Sequence, residues 1–271
     1  MEDISLSELP LYKRHSYFVR EDGPGEEAPS DYKEMEKYAP TNVMKIKNHD
    51  RRQDYKTMKE NLLSRGLLFE DDTFPPSKGI EWLRPNQISK NPQMYVEKRN
   101  RFDINQGRIG NCWFLAALAQ LADDDEAYDR VVPRDQSFSR GKYCGMFRFR
   151  FFRFGEWVEI VVDDRLPTRN GKLIYLRSKE DNEFWSPLLE KAYAKLYGSY
   201  EALDGGNSIE AAVDFTGGIP EVINISKYLE KDQHKLFNLM RKADANNAFI
   251  TCGLDVSRKY SLISFVSSVR I

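Results

Sequence analysis

Gln106-Gly107-Arg108-Ile109-Gly110-Asn111-Cys112-Trp113-Phe114 is a glycine-containing loop that runs directly into an apolar helix and places a cysteine in its first turn. The stretch Cys112 to Ala122 is apolar almost all round and rich in strong helix formers, the pattern of a helix buried on every side. Unpaired backbone N–H groups and the macrodipole at a helix N-terminus stabilise a thiolate, the nucleophile of acyl transfer. The glycines let a substrate carbonyl come close to the backbone, and the Gln106 side-chain amide can donate to an oxyanion. Nucleophile and oxyanion donor would then share one loop. Taken alone, Cys112 reads first as a small apolar residue of a core helix.

Downstream, Met146 to Phe154 and Glu156 to Val162 are rich in β-branched and aromatic residues and meet at Gly155, which predicts an antiparallel strand cluster. Asn170-Gly171 favours a tight hairpin turn. Ser186 is expected to cap a helix with Pro187 at its first position, and Leu188 to Leu196 continue it to Gly198. Gly205-Gly206 and Gly217-Gly218 punctuate the rest, with a further helix near Asp232 to Lys242. Arg148, Arg150 and Arg153 alternate among phenylalanines, a pattern shared by some RNA-binding strands, but read here as a solvated strand face.

Upstream, residues 1 to about 60 are polar and broken by Gly23-Pro24-Gly25 and Ala28-Pro29-Ser30. They read as a mobile leader over 1–65, with short helices near 31 to 38 and 50 to 64. Lys plus Arg (41) nearly cancel Asp plus Glu (42), so composition gives no support to nucleic-acid binding. The N-terminus lacks the pattern of a secretory signal and no apolar run approaches transmembrane length, so the chain is expected to be soluble and cytoplasmic. Cys112, Cys144 and Cys252 are odd in number and far apart, which suits reduced thiols.

The motif Gln106-Gly107-x-x-x-Asn111-Cys112-Trp113-Phe114 resembles the cysteine motif of the calpain family, the calcium-dependent, papain-like cysteine proteases. The resemblance runs from about Gly66 to Leu254. It includes Phe74-Pro75-Pro76, Val162-Asp163-Asp164, Asn182-Glu183-Phe184-Trp185, Leu189-Glu190-Lys191-Ala192-Tyr193-Ala194-Lys195 and Asp214-Phe215-Thr216-Gly217-Gly218. It implies an α+β papain-like core: a first protease subdomain over 66–205 that carries the cysteine, and an incomplete second, β-rich subdomain over 206–271. It turns the reading of Cys112 from core residue to nucleophile and makes Gln106 the oxyanion-hole residue.

The same resemblance implies calcium, held by the carboxylates of Asp103 and Glu183 and the backbone carbonyls of Val96 and Lys98. A lysine at 98 departs from the small residue usual there, and Asp103 and Glu183 also read as ordinary surface or capping acids. Arg101 resembles the arginine that bridges to the second subdomain, whose acidic partner would lie beyond this sequence. Asp204, Gly205 and Gly206 fall where the family binds extended substrate backbone, although a flexible hinge explains the glycines as well. Implied partners are protein substrates and a calpain regulatory subunit or inhibitor.

Papain-type enzymes place the catalytic histidine roughly 130 to 150 residues after the cysteine. His234, in the polar run Asp232-Gln233-His234-Lys235, reads as a solvated side chain, and His15 and His49 lie in the leader. The expectation is therefore a truncated or alternatively spliced endopeptidase without its histidine and asparagine. The alternative is a non-catalytic regulatory or binding chain derived from such a core.

Overall fold

The computed structural model describes residues 44–45, 50–96, 99–225, 233–255 and 260–267. The helix expected near 31 to 38 and the candidate ligand Lys98 lie outside the described residues. One compact unit spans Pro40–Gly206, and the residues from Asn207 onward belong to a second. No helix among the described residues is long and apolar enough to cross a membrane.

In chain order the first unit contains β1 (Met44–Lys45), α1 (Asp50–Arg65), β2 (Glu81–Leu83), α2 (Pro85–Ile88), β3 (Ile104–Asn105), α3 (Cys112–Asp123), α4 (Asp125–Val131), β4 (Met146–Arg153), β5 (Glu156–Asp163), β6 (Leu166–Arg169), β7 (Lys172–Leu173), β8 (Arg177–Ser178) and α5 (Trp185–Tyr197). Its largest sheet has the order β1-β5-β4, and smaller antiparallel sheets are formed by β2-β6-β7 and β3-β8.

The β4–β5 hairpin turns through Phe154 and Gly155, both at positive φ, the left-handed pair that a two-residue turn requires. Alternation puts Phe147, Phe149 and Phe151 on one face, paired with Val162, Ile160 and Val158, and all six are buried. Helix α5 covers that face, with Tyr193 edge-on to Phe151. Asn170 and Gly171, again both at positive φ, make the expected turn between β6 and β7.

The opposite face of the hairpin is not solvated. Tyr55 of α1 lies buried against Cys144 and Met146, and the Arg148 guanidinium stacks 4.1 Å from its ring centroid. Arg148 is itself buried and pairs with Glu159 and Asp135, while Arg150 pairs with Glu159. Arg148 and Arg150 are committed to intrachain carboxylates and Arg153 donates to the Tyr197 hydroxyl, which corrects the solvated-face reading. Helix α1 therefore lies within the first unit, although the sequence placed it in the leader.

Two further expectations change. Helix α5 begins at Trp185 with Phe184 at the cap, and the Ser186 hydroxyl is buried without a hydrogen-bond partner, so Ser186 caps nothing. Pro187 still fits, because the first turn of a helix needs no N–H from it. Helix α3 is buried along Trp113, Phe114, Ala117, Leu118, Leu121 and Ala122 only, and Cys112 and Ala116 face outward. Only Gln120 and Asp123, near its C-terminal end, are polar, so composition overstated the burial of its first turns.

In the second unit, α6 (Ser208–Thr216) is capped by the Asn207 side chain, which accepts from Ile209 N, and ends at the left-handed Gly217. Strands β9 (Ile219–Asn224), β10 (Phe249–Asp255) and β11 (Tyr260–Ser267) form an antiparallel sheet in the order β10-β11-β9. Helix α7 (Gln233–Ala245) buries Leu236 against Ile223.

Candidate active site

Cys112 is exposed at the start of α3, with Asn111 at the cap. Asn111 O accepts from Phe114 N at 2.9 Å and from Leu115 N at 3.1 Å, and the first N–H groups of the turn have no partner within the helix. The thiol thus faces solvent beside the unpaired N–H groups of the first helical turn. Burial pushes the Cys144 thiol up, and Cys252 is exposed like Cys112 but lies on strand β10.

The loop before Cys112 is held in place from two sides. Arg108 N donates to Ile174 O at 3.0 Å, and Gly107 lies so close that a Cβ there would come within 2.3 Å of the Tyr175 backbone. On the other side Gly110 N donates to Asp204 Oδ1 and Gly205 N to Gly110 O, each at 3.0 Å. The Gln106 amide folds over this loop and donates to Ile109 O at 2.8 Å. A carboxamide carries two N–H donors, so this bond does not use up its capacity.

The structure places Asp204, Gly205 and Gly206 beside the nucleophile loop. Gly205 has φ of +75 with open space where a Cβ would point, so its backbone conformation is what favours glycine. At Gly206 a Cβ would fall 2.3 Å from the Trp113 indole, whose Nε1 donates to Leu203 O. A cleft of about 630 Å³ adjoins the loop and is lined by Arg108, Ile109, Tyr175, Glu201 and Asp204 among others.

The candidate metal residues are brought together in part. The chain before Val96 runs along residues 182–185: Gln93 N donates to Asn182 O, Phe184 N to Gln93 O and Trp185 N to Met94 O. Glu183 is buried and accepts from Val96 N at 2.8 Å, from the Ser178 hydroxyl and from Trp185 Nε1. Burial pushes its carboxyl up, and the charge of Asp103 adds to the shift. Asp103 ends a short 3-10 turn begun by Asn100. Among the described residues no cationic side chain pairs with Glu183, and no three His, Cys, Asp or Glu side chains converge. Arg101 pairs with Asp123 at 3.3 Å in this structure.

Sequence reading assigned no role to Glu190, yet this α5 carboxylate is buried behind Cys112 and bonds to both Asn111 and Leu176. The available signal was a charged residue in a helix whose neighbours, Leu188, Leu189 and Ala192, are apolar. His234 lies in the first turn of α7 and is exposed.

Residues 54–267 match the model of the calpain family cysteine protease. The chain is 48% identical over 214 residues to Calpain-A of Drosophila melanogaster, covering 75% of this chain and 25% of that protein. It is 48% identical over 221 residues to Calpain-8 of Rattus norvegicus, covering 76% and 31%. It is 45% identical over 221 residues to the Calpain-1 catalytic subunit of Bos taurus, covering 76% and 30%. The chain thus spans about a quarter to a third of the length of these relatives.

Proposed function

Because the chain belongs to the calpain family of cysteine proteases, we propose that it supplies the nucleophile and oxyanion half of a calcium-dependent endopeptidase acting on cytoplasmic proteins. The observation that carries this reading is Cys112, exposed at the helix start beside a loop that also holds Gln106 and opens on a cleft.

In that role the Cys112 thiolate attacks the scissile carbonyl carbon and the carbonyl electron pair moves to oxygen. The oxyanion accepts from the Gln106 amide and from backbone N–H at the helix start. Collapse expels the amine and leaves a thioester, which water then cleaves. The departing amine needs a proton, and a histidine normally supplies it. Gly205, with open space beside its Cα, can receive an extended substrate backbone, while Gly206 is small because Trp113 requires it. The reading is tested with a mild alkylating reagent on the folded chain: Cys112 is expected to react faster than Cys252 and Cys144. Faster modification of Cys252 overturns it.

Calcium fits the Glu183 region on the donors present. A buried carboxylate that burial and Asp103 both disfavour, with no cation beside it among the described residues, would be relieved by a hard divalent ion. Asp103 and Glu183 would hold it through carboxylate oxygens, with carbonyls at Val96 and Lys98. When bound, the ion neutralises the two carboxylates and ties the segments that carry them. Because burial shifts the Glu183 carboxyl up, protons compete with calcium for it, so affinity should fall as pH is lowered. Calorimetry is expected to show that affinity, lost in an Asp103→Ala, Glu183→Ala double variant. Unchanged affinity in that variant removes the assignment.

A further inference from the structure

Glu190 is about 1% exposed, in the middle of α5, with no cationic side chain bonded to it among the described residues. Its Oε1 accepts from Asn111 Nδ2 at 2.7 Å and its Oε2 from Leu176 N at 2.9 Å. Burial pushes this carboxyl up to about 8, with the two N–H donors opposing, and the titratable side chains that feel its charge are Tyr175 and Tyr200. Burying a carboxyl without a cation costs more than two ordinary hydrogen bonds return, so core filling does not account for it.

What the two bonds join does account for it. Asn111 caps the Cys112 helix, but its side chain makes no capping bond, and its Oδ1 has no partner. The amide is turned inward to Glu190 instead. Leu176 belongs to the Ile174–Leu176 segment, which receives Arg108 N and lies under Gly107. One carboxyl therefore holds the start of the nucleophile helix with one oxygen and the floor of the oxyanion loop with the other.

We infer that Glu190 is a positioning residue for the Cys112 centre, fixing the helix start relative to the Gln106–Gly110 loop through this pair of hydrogen bonds. The inference rests on Cys112 being the reactive thiol. It makes hydrogen-bonding capacity, rather than charge, the property that matters. In Glu190→Gln the new amide still accepts from Leu176 N and donates to Asn111, whose carboxamide turns over to present the Oδ1 that now lacks a partner. Glu190→Leu keeps the volume and deletes both bonds. Asn111→Ala cuts only the bond to the helix start.

The test is the alkylation rate of Cys112 by iodoacetamide in the folded 271-residue chain, with exposed Cys252 as internal control. Glu190→Gln should stay within about twofold of the parent, whereas Asn111→Ala and Glu190→Leu should fall about tenfold as the helix start that carries the thiol loses its register with the Gln106–Gly110 loop. Cys252 should react at parental rate in all three, with unchanged far-UV circular dichroism. The proposal is overturned if Glu190→Gln falls as far as Glu190→Leu, or if Asn111→Ala leaves the Cys112 rate unchanged. Should Glu190→Leu fail to fold, the other two variants decide. Variant-to-parent ratios judge the positioning, while the parental order of Cys112 and Cys252 judges the nucleophile reading, so the two can fail separately.

Discussion

Asp163→Ala is expected to lower the free energy of unfolding by about 3–5 kcal/mol, the range for removing one partner of a buried ion pair. Asp163 ends β5 fully buried and receives Lys191 Nζ at 2.6 Å, Arg165 Nη2 at 2.6 Å and Asp71 N at 2.9 Å. Lys191 is nearly as deeply buried on α5, and its other bond is to Arg165 O at 2.6 Å. Truncation of Asp163 removes the one carboxylate bonded to the Lys191 ammonium among the described residues. The two partners pull in opposite senses. Burial raises the Asp163 carboxyl, but Lys191 and Arg165 outweigh it and hold it down to about 2, while burial lowers Lys191 against the opposing charge of Asp163. The donors of Lys191, Arg165 and Asp71 that converge on Asp163 decide for the charged pair.

Urea denaturation at neutral pH measures the loss, and the pH dependence identifies its source. A carboxyl held below its ordinary value contributes stability above that value, about 3.8, and loses it as pH falls toward 2. The parent should therefore show a steeper loss of stability between about pH 4 and 2 than Asp163→Ala, for which this acid limb flattens. A variant that unfolds at the parental urea concentration would mean that the bonds of Asp163 to Lys191, Arg165 and Asp71 add nothing net.

The second large effect is expected in catalysis. With saturating calcium, the 271-residue chain should cleave a fluorogenic peptide no faster than its Cys112→Ser variant. Attack by the thiol and departure of the amine each gain roughly 10²- to 10⁴-fold from a positioned acid–base group. His15 and His49 lie outside the residues matched to the family, and His234 is an exposed side chain at the start of α7. Helix dipoles favour a thiolate but carry no proton to the leaving amine. Calcium-dependent turnover clearly above the serine variant would show that a base is present, and His234→Ala would then be the first variant to make.

Much of the local structure was legible because it rests on short-range chemistry. Phe154-Gly155 and Asn170-Gly171 supply the positive-φ pairs that tight hairpins need, and Gly198 and Gly217 close helices in the left-handed conformation. The Cys112 loop was legible for the same reason, since glycine spacing and an apolar helix start are contiguous in the chain. Ser186 misled because Pro187 suggested a first helical position, whereas packing of Trp185 and Phe184 starts the helix earlier.

The sequence by itself determined the Phe154-Gly155 and Asn170-Gly171 turns, the ends of α1, α3, α5 and α7 within a few residues, and that a thiol is delivered to a helix N-terminus, but not helices α2, α4 and α6. Only the tertiary structure decided what the polar residues face. Arg148 goes under Tyr55, Lys191 goes to Asp163, and Glu190 goes to Asn111 and Leu176. Each of these partners is distant or on another element, so no local pattern specifies it. A buried charge is tolerated only where the fold brings a donor or counter-charge to it, and that pairing exists only once the elements have packed.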